Sequence, residues 1–95
     1  MNYGQAIKKL RCEKVWENQT EFAKNIGITQ SYLSSIENDN KKPSTDLLEV
    51  IANYTKVPMA ILFWNSVTES DVSEDKRESL RRLKSGIDSI VMSFF

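Results

Sequence analysis

The sequence predicts an all-α fold: a five-helix domain carrying one additional helix at its C-terminus. Three observations predict it. Apolar residues recur at helical spacing along most of the chain, and no stretch alternates apolar with polar residues as a half-buried strand would. Each periodic run has punctuation suited to a helix, with Asn18, Thr29 and Ser44 as N-caps and Gly27, Pro43 and Pro58 as stops or entries. At 95 residues the chain has room for one domain and one appended element.

The first helix is predicted over Tyr3 to Val15, burying Ala6, Ile7 and Leu10 while Lys8, Lys9, Glu13 and Lys14 face outward. Asn18-Gln-Thr-Glu21 has the form of a capping box, in which Asn18 caps the next helix and Glu21 reaches back to its N–H. That second helix runs from Gln19 to Asn25 and buries Phe22, Ala23 and Ile26. Gly27 ends it, because glycine accepts the left-handed conformation of a helix C-terminus. Thr29 caps a third helix, Gln30 to Glu37, with Leu33 and Ile36 turned inward. Asn38 to Ser44 is a polar turn, and the fourth helix spans Thr45 to Tyr54, burying Leu47, Leu48, Ile51 and Tyr54. Pro58 opens the fifth, to Trp64, in a position where its missing N–H costs nothing. Residues 1–64 therefore form the domain, and the polar, acidic, Ser-rich stretch 65–75 reads as a linker. The last helical pattern runs from about Ser73 to Phe95, and residues 76–95 form an amphipathic helix.

Composition removes several classes of function. The chain has no histidine and a single cysteine, Cys12. The commonest general base, the commonest transition-metal ligand and any internal disulfide are thereby absent. The three glycines stand alone at 4, 27 and 86, so no phosphate-cradling loop exists. No enzyme activity, metal site or cofactor is expected. No apolar run approaches the roughly 18 residues of a membrane span, and the N-terminus lacks the pattern of a secretory signal, so a cytoplasmic location is the default expectation. Cys12 reads as an inert small residue, and the Trp16 and Trp64 rings as core or interface packing.

The informative stretch is Gln19 to Asn38. Two short helices joined by a four-residue turn, Ile26 to Thr29, are suited to bracing one helix on a DNA backbone while the other enters the major groove. On the third helix Gln30, Ser31, Ser34 and Ser35 lie opposite Leu33 and Ile36. Glutamine can pair bidentately with adenine, and serine can donate or accept at any base. The net charge is zero, 13 basic against 13 acidic residues, with residues 1–66 at +1 and residues 67–95 at −1. A DNA surface must come from local placement. The bland alternative is a solvated polar face on a bundle that binds protein.

Gln19-Thr-Glu-Phe22-Ala23, Ile26-Gly27-Ile28, Leu33, Ile36-Glu37-Asn38, Pro43 and the apolar residues of the fourth helix together resemble the phage-repressor-like helix-turn-helix family of the XRE or Cro/C1 type. The resemblance covers residues 4–63 and implies a lambda-repressor-like five-helix domain. It implies that Gln19 meets a DNA phosphate beside a helix N-terminus, and that Gln30, Ser31 and Ser35 contact bases. It places Thr29, Tyr32, Ser34 and Asn38 on sugar-phosphate or the edges of the site, and Lys41 and Lys42 on the backbone. Arg11 and Glu37 occupy the positions of an intramolecular ion pair. The chain departs from the family pattern in a first helix and turn one residue longer than usual. Glycines are also missing after that helix, after the recognition helix (Asp39) and at the end of the fourth helix (Lys56).

In the tail, Leu80, Leu83, Ile87, Ile90 and Phe94 are spaced 3, 4, 3 and 4 apart, a heptad seam. The seam either pairs with a second subunit or folds back over Ile61, Leu62 and Phe63 of its own domain. A homodimer matched to a palindromic operator in double-stranded DNA is the favoured expectation, and the function is then transcriptional regulation, most simply repression. The alternative is an antitoxin or other interaction module whose C-terminal segment binds a partner protein.

Overall fold

The computed structural model describes residues 1–94, without the side chains of Ser89 and Met92. The Phe95 end of the predicted last helix lies outside the described residues. The fold is all-helical: α1 (Tyr3–Leu10), a π-helical turn (Arg11–Val15), α2 (Gln19–Ile26), α3 (Gln30–Glu37), α4 (Thr45–Thr55), α5 (Met59–Ser66) and α6 (Arg77–Ser93), with no strand among the described residues. Two short 3₁₀ turns, Glu69–Asp71 and Glu74–Lys76, lead into α6. No single helix is long and apolar enough to cross a membrane, and α4 and α5 meet at 111°.

The three expected N-caps form, but among the described residues the Asn18 capping box is half made, its N–H making no bond to the Glu21 carboxylate. Asn18 Oδ1 accepts the N–H of Glu21 at 2.8 Å, Thr29 Oγ1 that of Tyr32 at 3.1 Å and Ser44 Oγ that of Leu47 at 3.1 Å. Gly27 closes α2 in the left-handed region at φ 82°. Pro58 is the residue before α5 and not its first turn, its ψ of 146° still extended. The helices close over one core in which Ile7, Leu10, Phe22, Leu33, Ile36, Ile51 and Leu62 are fully buried, each worth roughly 1.5–3 kcal/mol in area removed from water. Tyr54 is only half-buried, its ring edge-on to Phe22 at 5.7 Å.

Two features position the functional elements. At Gly4, a Cβ would come within 2.3 Å of the Ile36 carbonyl oxygen, so α1 can cross the end of α3 only without a side chain there. The extra residue after α1 is absorbed by the π-turn, whose i→i+5 bond, from the N–H of Trp16 to the Arg11 carbonyl, takes up one residue more than an α-turn. Trp16 then ends that turn in the left-handed conformation at φ 55°. The other non-glycine residues with positive φ are Asp39 (63°) and Lys56 (58°). These three are the positions where the family pattern has glycine, so the backbone keeps its left-handed corners although each costs an L-residue about 1–2 kcal/mol.

The stretch after α5 is folded along the domain. Arg77 Nε donates to the Glu69 carbonyl at 3.1 Å and Arg81 Nε to the Glu69 carboxylate at 2.6 Å. Trp64 Nε1 donates to Asp88 at 2.8 Å, while Lys84 lies 4.7 Å from the Trp64 ring centroid and donates to the Trp64 carbonyl at 2.7 Å. Helix α6 is thus held to the domain by a polar face. Beside it Leu83, Ile90 and Phe94 are 50, 56 and 76% exposed, while Leu80 and Ile87 are half-buried.

Candidate nucleic-acid interface

The candidate site is built on an ion pair. Arg11 and Glu37 are both nearly buried, and the guanidinium meets the carboxylate through two parallel bonds, Nε to Oε2 at 2.8 Å and Nη2 to Oε1 at 2.9 Å. Its third nitrogen, Nη1, donates to the Glu17 carbonyl at 2.9 Å. The hydrogen bond to Glu37 lifts the Arg11 pKa further above its ordinary range, against the opposing effect of burial. The pair ties the turn after α1 to the end of α3.

From Glu37 a chain of hydrogen bonds runs to the surface. Gln19 Nε2 donates to Glu37 Oε1 at 3.0 Å, and Gln30 Nε2 donates to Gln19 Oε1 at 2.8 Å. Gln19 opens α2 and Gln30 opens α3, so the first residues of the two helices are locked side by side. Sequence reasoning placed Arg11 with Glu37 but missed the role of Gln19 as the bridge between that pair and Gln30. The available signal was two glutamines, each directly after an N-cap.

On α3, Gln30, Ser31 and Asn38 are exposed, and Ser34 and Ser35 are half-buried. Asn38 Nδ2 donates to Ser34 Oγ at 3.3 Å, and the Ser35 carbonyl accepts the N–H of Asn40 at 2.8 Å. Thr29 is exposed as well as capping, while Tyr32 packs half-buried against the core. Lys41 lies 5.5 Å from the Tyr32 ring centroid, and Lys42 is exposed beside it. The structure therefore gathers Gln19, Thr29, Gln30, Ser31, Ser34, Ser35, Asn38, Lys41 and Lys42 around the α2–α3 pair, with Tyr32 as the platform beneath Lys41. Apart from the two lysines these residues are neutral, a set of amides and hydroxyls, with the exposed carboxylate of Asp39 next to Lys42.

The loop ahead of α2 is equally fixed. The Glu17 carboxylate accepts from the Tyr54 hydroxyl, a bond that lifts the Tyr54 pKa above its ordinary value, and it also accepts, at 2.6 Å, from Asn25 Nδ2. Trp16, expected in packing, is 82% exposed, because the left-handed backbone at the end of the π-turn directs it away from the core. Cys12 is exposed. Among the described residues no acidic or cysteine cluster could hold a metal ion.

A two-helix unit whose outer helix presents a polar face on a rigid core is a helix-turn-helix. A family profile described as Helix-turn-helix matches residues 7–62. The chain belongs to the phage-repressor-like helix-turn-helix family, whose members are DNA-binding regulators. It is 40% identical over 72 residues to the ImmF control region 10 kDa protein of Bacillus phage phi105, covering 76% of each chain. It is 36% identical over 63 residues to control protein C.MunI of Mycoplasma sp, covering 66% of this chain and 85% of that one. The immunity repressor protein of Bacillus phage phi105 is 28% identical over 86% of this chain, which spans 64% of that protein's length. No solved structure matches the chain.

Proposed function

We propose that the protein is a homodimeric repressor that places α3 in the major groove of a palindromic operator. The observation that carries this reading is the Arg11–Glu37–Gln19–Gln30 chain, which fixes a neutral reading surface on buried charge. With one N–H of Gln30 engaged by Gln19, its Oε1 and second N–H remain for a base edge. That donor–acceptor pair fits adenine N6 and N7. Ser31 and Ser35 read adjacent bases. Gln19, Lys41, Lys42 and the amides opening α2 hold phosphates, with Thr29, Tyr32, Ser34 and Asn38 at the margins. The names of the relatives, a control-region protein, a control protein and an immunity repressor, support a regulatory role.

Dimerisation uses α6. The exposure of Leu83, Ile90 and Phe94 favours a second copy on that face, with the half-buried Leu80 and Ile87 continuing the seam. Two such subunits read half-sites about one helical turn, roughly 34–36 Å, apart. The same exposed face supports a second reading, a partner protein bound at α6 as in an antitoxin; a chain monomeric alone but captured stoichiometrically by such a partner would favour it.

Fluorescence anisotropy tests the proposal, using DNA from immediately upstream of the protein's own gene against scrambled DNA at two salt concentrations. Tight, selective, salt-dependent binding by two protomers is the expected result. Binding indifferent to sequence across genomic fragments would overturn it.

A further inference from the structure

Trp16 is the most exposed of the large apolar side chains described, at 82%. It also sits in the left-handed region, at φ 55°, where a glycine would carry no Cβ penalty. A bulky aromatic residue that is both strained and open to water contributes little to the fold, and such outliers concentrate at functional positions. Its loop is rigid. The N–H groups of Trp16 and Glu17 both reach the Arg11 carbonyl, the Glu17 carbonyl accepts from Arg11, and the Glu17 carboxylate holds Tyr54 and Asn25.

The loop is also joined to the reading surface. Arg11, which holds the Glu17 carbonyl, holds Glu37 as well, and Glu37 takes the amide of Gln19. Trp16 stands two residues ahead of Asn18, the cap of the helix whose opening amides and Gln19 are assigned to phosphate. Of the residues gathered around α2 and α3 only Lys41 and Lys42 are cationic, so many backbone contacts there fall to neutral donors and apolar packing. An indole supplies both, since its ring covers a sugar and its N–H can only donate, which suits a phosphate oxygen.

We propose that Trp16 is a further DNA contact, its ring against a deoxyribose and its Nε1–H on a phosphate at the outer margin of the half-site. The contact rests on the DNA-binding reading above. It adds affinity without sequence information, and the rigid loop means that little conformational freedom is lost on binding.

The test separates this contact from the parent reading. In the unaltered chain, saturating operator DNA should protect tryptophan emission from acrylamide quenching, and Trp16→Gly, where Trp64 is the remaining tryptophan, should lose that protection. Trp16→Gly removes the ring and relieves the backbone. It should raise the melting temperature while weakening binding about fivefold, the worth of one hydrogen bond, on the operator and on its point variants alike. A merely structural role would move stability and binding in the same direction. Selective operator binding with Trp16 still open to quencher, or with Trp16→Gly binding as tightly as the parent, overturns the contact alone. Failure of the parent chain to select any operator overturns the DNA reading and the contact with it. Protection that appears only with an added protein would assign Trp16 to a protein interface instead.

Discussion

Replacing Glu37 by glutamine should cost far more than its single atom change suggests. The carboxylate is 2% exposed at the side chain and takes two bonds from Arg11 and one from Gln19. The substituted amide would keep one acceptor oxygen but leave the guanidinium, only 10% exposed, without a counter-charge. Breaking one side of a buried pair costs about 3–5 kcal/mol, and the retained acceptor places this case near 3. A domain of this size loses about 4–8 °C of melting temperature per kcal/mol, so the fall should be about 12–24 °C. Thermal and urea melts measure it, with an unchanged urea slope showing that the compactness of the end states is the same. The double variant Arg11→Met, Glu37→Gln removes the stranded charge and should recover most of the loss. A fall below about 1 kcal/mol, or a double variant no better than the single, would refute the account of the pair.

The remaining expectations concern reading, assembly and the tail. Gln30→Ala should relax selectivity at one base pair, while Lys42→Ala should weaken all sequences alike and shallow the salt dependence; a panel of point-mutated operators distinguishes them. Leu83→Ala with Ile90→Ala should shift the chain from dimer to monomer in light scattering, whereas Leu80→Ala, at a half-buried position, should shift it less. Lys56→Gly should melt about 4 °C higher by removing the left-handed penalty at φ 58°. Arg81 holds the Glu69 carboxyl below its ordinary value of 4.5. Its contribution is complete above that value and lost as pH falls through the lower folded one. The indole N–H resonance of Trp64, bonded to Asp88, should therefore report loosening of α6 in acid but not at neutral pH.

Much of this architecture is legible in the sequence because it is local. Asn18, Thr29 and Ser44 cap the helices they announce, and the apolar positions of the first four helices form the core. The Arg11–Glu37 pair was visible through resemblance, and the glycines missing after the first helix and at 39 and 56 pointed to loops where the backbone turns out left-handed. What escaped was long-range or conditional on geometry. Nothing near Gly4 announces that the Ile36 carbonyl lies over it. Gln19 looks like a solvent-facing helix opener until α3 brings Gln30 beside it. The stretch 65–75 reads as a linker although Thr68 and Asp71 form a local capping box within it, and its hold on α6 comes from Arg77 and Arg81, which arrive later in the chain.

The π-turn at Arg11–Val15 has a bearing on how such domains change over time. An added residue in the middle of a packed helix would rotate every following side chain by about 100°, turning core positions outward. Here the surplus is looped into one wide turn, and Arg11 still reaches Glu37 on one side while Asn18 opens α2 on the other. The segment between them works as a length buffer, able to gain or lose a residue without disturbing the phase of either flank. Alignments of this chain with shorter relatives should accordingly open their gap between residues 12 and 16, where the structure tolerates it.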